Sequence, residues 1–139
     1  MLAIRQALSE AATRSKISGL PKIGAMIETP AAALAAPEII KHADFLSFGT
    51  NDLTQYAFAA DRENTAVDSY FDDTQDVIFR LISMVHDDVP DASLSICGEL
   101  AGRTGATSRL IECGVTSLSV VPVAIPMVKE AVRNCGRES

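Results

Sequence analysis

The sequence predicts an α/β fold, one leading helix followed by four βα units with parallel strands. Three observations carry this. Four short apolar runs recur, each bounded by Gly, Pro or small polar residues and each followed by a helical pattern. The runs are apolar over most of their length rather than alternating, as strands covered on both faces are. The core is carried by Ala, Ile, Leu and Val, with only 5% aromatic residues and no Trp, which suits helices packed on parallel strands better than a sandwich.

Residues 2–16, LAIRQALSEAATRSK, read as an amphipathic helix with Leu2, Ile4, Leu8 and Ala12 near one face, ended by the Gly and Pro of ISGLP. Residues 22–28, KIGAMIE, form the first strand. Pro30 then falls in the first turn of a helix, where its missing N–H costs nothing. The Ala-rich stretch AAALAAPEIIKHA is helical, interrupted or restarted at Pro37. DFLSFG, 44–49, is the second strand. DTQDVIFRLISMVHDDV is a periodic helix with Val77, Leu81, Met84 and Val85 on one face and Asp73 or Thr74 as N-cap. ASLSICG, 92–98, is the third strand, and RTGATSRLIECG a helix closed by Gly114 at C′. TSLSVVP, 116–122, is the fourth strand, before the helix AIPMVKEAVRN.

Two parallel architectures fit: an open doubly wound sheet, or part of a (β/α)8 barrel, which takes roughly 250 residues. The 139 residues here supply half of its units and enough chain for one domain, residues 1–20 being the leading helix and linker and 21–135 the four βα units. No glycine-rich GxGxxG or GxxxxGK[ST] loop is present, which weakens a dinucleotide or P-loop reading. The net charge of −6, with Lys and Arg scattered singly, argues against nucleic acid. No apolar run reaches the ~18 residues of a membrane span, and the N-terminus lacks the apolar core of a signal peptide. The three cysteines are odd in number and lack CxxC spacing, so neither a disulfide framework nor a thiolate zinc site is expected, and a reducing cytoplasm is.

In either architecture the site lies at the carboxyl ends of the strands. Glu28-Thr29 end the first, Thr50-Asn51-Asp52 the second and Cys97-Gly98-Glu99 the third. Neighbouring parallel strands lie ~5 Å apart, so Glu28 and Asp52 fall side by side, and a hard divalent cation relieves their repulsion. Mg²⁺ takes one or two protein carboxylates and completes its octahedron with water and substrate oxygens. Each residue also has a plainer reading. Asp52 alone reads equally as the N-cap of the next helix, and Glu28 as a partner of Lys22 or a distant Arg. Cys97 and Cys113 read as packed thiols, Cys135 as a helix-end residue, Arg62 as a solvated loop charge, and His42 and His86 as surface or capping histidines. Together with Asn51, the two carboxylates favour a site.

The motifs IGAMIETPAAAL, FLSFGTNDLTQYAFAADR, ICGELAG and SLSVVPVAIPMVK resemble the C-terminal half of the phosphoenolpyruvate (PEP)-binding barrel of the PEP-utilising enzymes. That group includes enzyme I of the phosphotransferase system, pyruvate phosphate dikinase and PEP synthase. The likeness runs from Lys22 to Asn134 in the same order, and GTNDLTQY with CGELAG is most similar to enzyme I. The resemblance implies a (βα)4 half of a PEP-binding barrel preceded by one helix, from a Mg²⁺-dependent enzyme that moves phosphoryl from PEP to a protein histidine and releases pyruvate. It implies Glu28 and Asp52 as Mg²⁺ ligands, Asn51, Asp52 and Arg62 as contacts to the PEP phosphate, and Cys97 as the thiol handling the proton at the methylene carbon. It also implies a phosphocarrier protein as partner through a longer parent, a cytoplasmic setting, and an isolated half that self-associates and turns over little. The sequence departs from the family at Arg103, where an acid is common, and at FDDTQD, which replaces a usual His-Pro. Dikinase or synthase is the alternative parent, a non-catalytic module of the same fold a second, and a metal-dependent lyase or aldolase acting on a pyruvate enolate a third.

Overall fold

The computed structural model describes residues 2–61, 63–70 and 72–136. Its centre is a four-stranded parallel sheet in the order β1 (Gly24–Ile27), β2 (Phe45–Gly49), β3 (Leu94–Cys97), β4 (Ser117–Leu118). Register is continuous across the sheet: Ile27 pairs with Phe48, and Phe48 with Ile96. Ala25, Leu46 and Leu94 form the next row on the same face. These rows make the core with Leu53, Ile78, Ile82, Leu100 and Leu110 from the covering helices. On the opposite face, Met26 is 46% exposed, and Ser47 and Ser95 are half-buried. Sequential strands are neighbours throughout, as βαβ crossovers produce.

The Ala-rich stretch is two short helices. α2 (Pro30–Leu34) starts with Pro30 in its first turn and Thr29 as N-cap, whose hydroxyl accepts the Ala32 N–H at 3.0 Å. After Ala35 the chain restarts as α3 (Ala36–Ile40) with Pro37 in the first turn, where the ring needs no intrahelical donor. α4 (Thr50–Phe58) follows β2 without a loop.

Four expectations need correction. The leading helix α1 (Leu2–Ser15) buries no residue; Leu2 and Ile4 are 68% and 57% exposed, and Arg5, Leu8 and Ala12 form the half-buried face. Polar contacts hold it instead. The Arg5 guanidinium donates to the His42 carbonyl at 3.2 Å and lies 2.9 Å from Asp44. The third long helix, α5 (Asp76–Asp88), has Gln75 rather than Asp73 or Thr74 at its N-cap, because the Asp72 carboxylate captures the Thr74 N–H at 2.9 Å in a local turn. Its buried face is Ile78, Phe79, Ile82 and Val85, while Val77 is exposed. The segment from Arg103 to Gly114 is not one helix. Glu99–Gly102 and Thr104–Ala106 are 3₁₀ turns and only α6 (Thr107–Glu112) is α-helical, Gly102 and Gly105 lowering helix propensity ahead of it. The fourth strand is two residues rather than seven, and Pro122 opens a 3₁₀ turn that leads into α7 (Ile125–Cys135). No helix among the described residues is long and apolar enough to cross a membrane.

Candidate active site at the strand ends

The register brings the polar residues after β1, β2 and β3 to one edge. Ile27 pairs with Phe48 and Gly49 with Cys97, so Glu28, Gly49 and Cys97 stand in line across three strands. Glu28 leans over Gly49: a β-carbon placed on Gly49 would lie 2.7 Å from Glu28 Oε1 and 2.8 Å from its Cγ. The missing side chain at Gly49 is therefore the space the Glu28 carboxylate occupies.

Gly49 is the N-cap of α4, which makes Thr50, Asn51 and Asp52 its first three residues. Asp52 is thus not the cap. It sits inside the first turn, where the helix dipole favours an anion, and it is half-buried. Thr50 and Asn51 clamp the exit of β3. The fully buried Thr50 hydroxyl donates to the Cys97 carbonyl at 2.9 Å, and the Asn51 side-chain oxygen accepts the Glu99 N–H at 3.1 Å. Between them Gly98 has φ +99°, and a β-carbon on it would come within 2.5 Å of Thr50 Oγ1 and 2.9 Å of Asn51 Oδ1. Only glycine fits both the dihedral and the space.

Cys97 is half-buried, and its thiol donates to the Phe48 carbonyl at 3.4 Å. It lines an open cleft of about 810 Å³ with Asn51, Gly98, Glu99, Arg103, Ser119 and neighbouring apolar residues. A second groove of about 760 Å³, between α5 and α6, lies away from the strand ends. At the cleft's rim Arg103 meets Asp73, whose side chain is 2% exposed. The Arg103 Nε–H donates to Asp73 Oδ2 at 3.3 Å; Oδ1 is 3.1 Å from the same nitrogen but takes no hydrogen bond among the described residues. Burial pushes the Asp73 carboxyl above its usual range, against the opposing pull of Arg103.

Glu28, Asn51, Asp52 and Cys97 are therefore at one end of the sheet, and Arg62 lies outside the described residues. The donor set suits a hard cation that keeps several waters. Among the described residues no three His, Cys, Asp or Glu side chains are gathered to enclose a metal; Glu28, seated over Gly49, and Asp52, in the first turn of α4, are two carboxylates at this edge. His42 is exposed after α3, and His86 packs its ring against Gly114 with Nδ1 buried and unpartnered among the described residues, so neither faces the cleft. His86 is half-buried in the last turn of α5, the helix-end position expected from the sequence. Thr50, Gly98 and the Asp73–Arg103 pair escape sequence reasoning, since their roles depend on contacts 30 or more residues apart in the chain.

Residues 2–137 match the family described as PEP-utilising enzyme, PEP-binding domain. The phosphoenolpyruvate-protein phosphotransferase of Haloferax volcanii is 42% identical over 115 residues, covering 81% of this chain and 20% of that relative. The enzyme of the same name from Buchnera aphidicola subsp. Schizaphis graminum is 41% identical over 114 residues, 81% of this chain and 20% of the relative. A probable phosphoenolpyruvate synthase of Archaeoglobus fulgidus is 38% identical over 129 residues, 91% of this chain and 17% of the relative. The chain thus spans about one fifth of the length of the phosphotransferases it matches. It belongs to the family of PEP-binding domains of the PEP-utilising enzymes.

Proposed function

We propose that this domain binds phosphoenolpyruvate and Mg²⁺ at the carboxyl ends of its strands, as part of an enzyme that moves phosphoryl from PEP to a protein histidine and releases pyruvate. The observation that carries the reading is the convergence of Glu28, Asn51, Asp52 and Cys97 at the ends of three adjacent strands, in a chain of this family.

Glu28 and Asp52 would hold the metal, which when bound supplies Lewis-acid stabilisation of developing negative charge. The Glu28 carboxylate is already seated over Gly49. Asn51 and Arg62 would bind and orient the phosphoryl group, Arg62 steadying its charge during transfer. Loss of the phosphoryl group leaves the enolate of pyruvate. The Cys97 thiol, whose proton is directed at the Phe48 carbonyl, would deliver a proton to the methylene carbon. The acceptor histidine would come from elsewhere in a longer parent, since neither His42 nor His86 faces the cleft. A phosphocarrier protein is then the downstream partner. Residues 1–20 serve as leading helix and linker and 21–135 as one domain of four βα units acting in the cytoplasm. The open sheet face makes self-association of the isolated chain the expected state, and a sedimentation profile of a folded monomer would count against it. A PEP synthase parent is the second reading, favoured by the match that covers 91% of the chain.

The test is calorimetric titration of PEP, with and without Mg²⁺, into this chain and its Asp52→Ala variant. Binding that needs both Mg²⁺ and Asp52 supports the reading. Binding that ignores both would overturn the assignment of the metal pair.

A further inference from the structure

We propose that Arg103 is an anion-binding residue of the cleft, contacting carboxylate or phosphoryl oxygens of the bound substrate, and that Asp73 is the positioning residue that aims it. The inference rests on the reading of the cleft as a PEP site. A carboxylate 2% exposed needs a counter-charge, and Arg103 is the cation placed on it. The Arg103 side chain is 51% exposed and lines the cleft beside Asn51, Cys97 and Ser119. Asp73 engages only Nε. The two terminal amino groups, with their four N–H donors, have no protein partner among the described residues.

A guanidinium pinned at Nε and open at its fork is pre-organised for two oxygens of one anion, which a lysine would not be. Charge balance points the same way. Glu99 lines the cleft, and Glu28 and Asp52 stand at the same sheet edge. Among the described residues lining the cleft, Arg103 is the only basic side chain. An anionic substrate entering there meets repulsion unless a cation faces it. The 3₁₀ turns Glu99–Gly102 and Thr104–Ala106 flank Arg103, so Asp73 also ties this rim to the segment ahead of α5.

The experiment is a nuclear magnetic resonance titration of the ¹⁵N-labelled chain with Mg²⁺ and PEP, oxalate or inorganic phosphate. It follows the Arg103 Nε–H and the Gly98 and Gly102 amides in wild type, Arg103→Met, Asp73→Asn and the Asp73→Asn/Arg103→Met double variant. The double variant removes the buried carboxylate together with its cation, so it keeps the fold if Arg103→Met alone does not. The expected result is a saturable shift of the Arg103 Nε–H and a loss of about tenfold in affinity in the double variant. Asp73→Asn should weaken binding by less and broaden the Arg103 signal. A response to oxalate alone assigns the carboxylate, and one to phosphate alone the phosphoryl group. An Arg103 signal unmoved by every anion in a folded chain, or a double variant within twofold of wild type, overturns the proposal. If Asp52→Ala abolishes Mg²⁺-dependent PEP binding while Arg103 stays silent, the PEP reading stands and the Arg103 proposal falls. If anions shift Arg103 with no need of Mg²⁺ or Asp52, the reverse holds.

Discussion

Gly98→Ala should cost about 3 kcal/mol of stability, and the structure says why. Gly98 has φ +99° and ψ −176°, a region open essentially to glycine alone. Forcing alanine there costs about 1–3 kcal/mol. The new methyl would also lie 2.5 Å from Thr50 Oγ1, 2.9 Å from Asn51 Oδ1 and 3.3 Å from the Asn51 nitrogen. These atoms cannot swing away freely, since Thr50 is fully buried and both side chains are hydrogen-bonded to the β3 exit. Overpacking of this kind adds about 1–3 kcal/mol, part of which the same backbone shift relieves. In a domain of this size, about 3 kcal/mol lowers Tm by roughly 10 °C. Urea melts of the variant beside Gly102→Ala and Gly105→Ala check it, because a β-carbon at either control position meets nothing within 4 Å. A loss below about 1 kcal/mol in Gly98→Ala would refute the claim that the turn after β3 is locked by the Thr50–Asn51 clamp.

Gly49→Ala should act on the site rather than the fold. Gly49 has φ −91°, so alanine is not strained there, but its methyl takes the place of Glu28 Oε1. A urea melt within about 1 kcal/mol of wild type with a large loss of Mg²⁺-dependent PEP binding is the expected pair of results, and unchanged binding would remove Glu28 from the metal site. Asp44 is held below the usual carboxylate range first by the Ile23 N–H at 2.7 Å and then by Arg5. Its stabilising effect is therefore present above its ordinary value of 3.8 and is lost as pH falls through the lowered one, so the difference between wild type and Asp44→Asn in urea melts should be full at pH 7 and shrink progressively as pH falls below 3.8. Cys97 should react with iodoacetamide faster than the buried Cys113, and Mg²⁺ with PEP should slow only Cys97, as peptide mapping would read.

Element order was legible because apolar runs and Pro/Gly punctuation report local physics directly. Pro30 and Pro37 mark two helix starts, and Gly114, at φ +86°, the end of α6. What was illegible depends on competition between local donors. Asp72 takes the Thr74 N–H and moves the start of α5 to Asp76, which leaves Asp73 free to turn inward toward Arg103. The amphipathic pattern of residues 2–16 was misleading for another reason. Periodicity says which residues share a face but not whether an element lies opposite, and for Leu2 and Ile4 none among the described residues does. At the strand ends, the sequence placed Glu28, Asp52 and Cys97 at one edge, while the glycines that make room for them required the register.

Register also separates two readings of Cys97 that composition could not. Side chains alternate faces along a strand, so a thiol in the row of Ile27, Phe48 and Ile96 would be sealed beneath the helices. Cys97 pairs instead with Gly49, one residue out of phase with that row, and follows Ser95 on the face that carries Met26 and Ser47. That face bears the half-buried serines and the exposed Met26, and Cys97 is the point where it meets the cleft. A core cysteine needs no such neighbours. The helix-covered face supplies the stability, with Phe48 and Ile96 fully buried. Cys97, one step out of register from that core, is thereby left lining the cleft, while the Thr50 and Asn51 hydrogen bonds hold the backbone at the β3 exit in place.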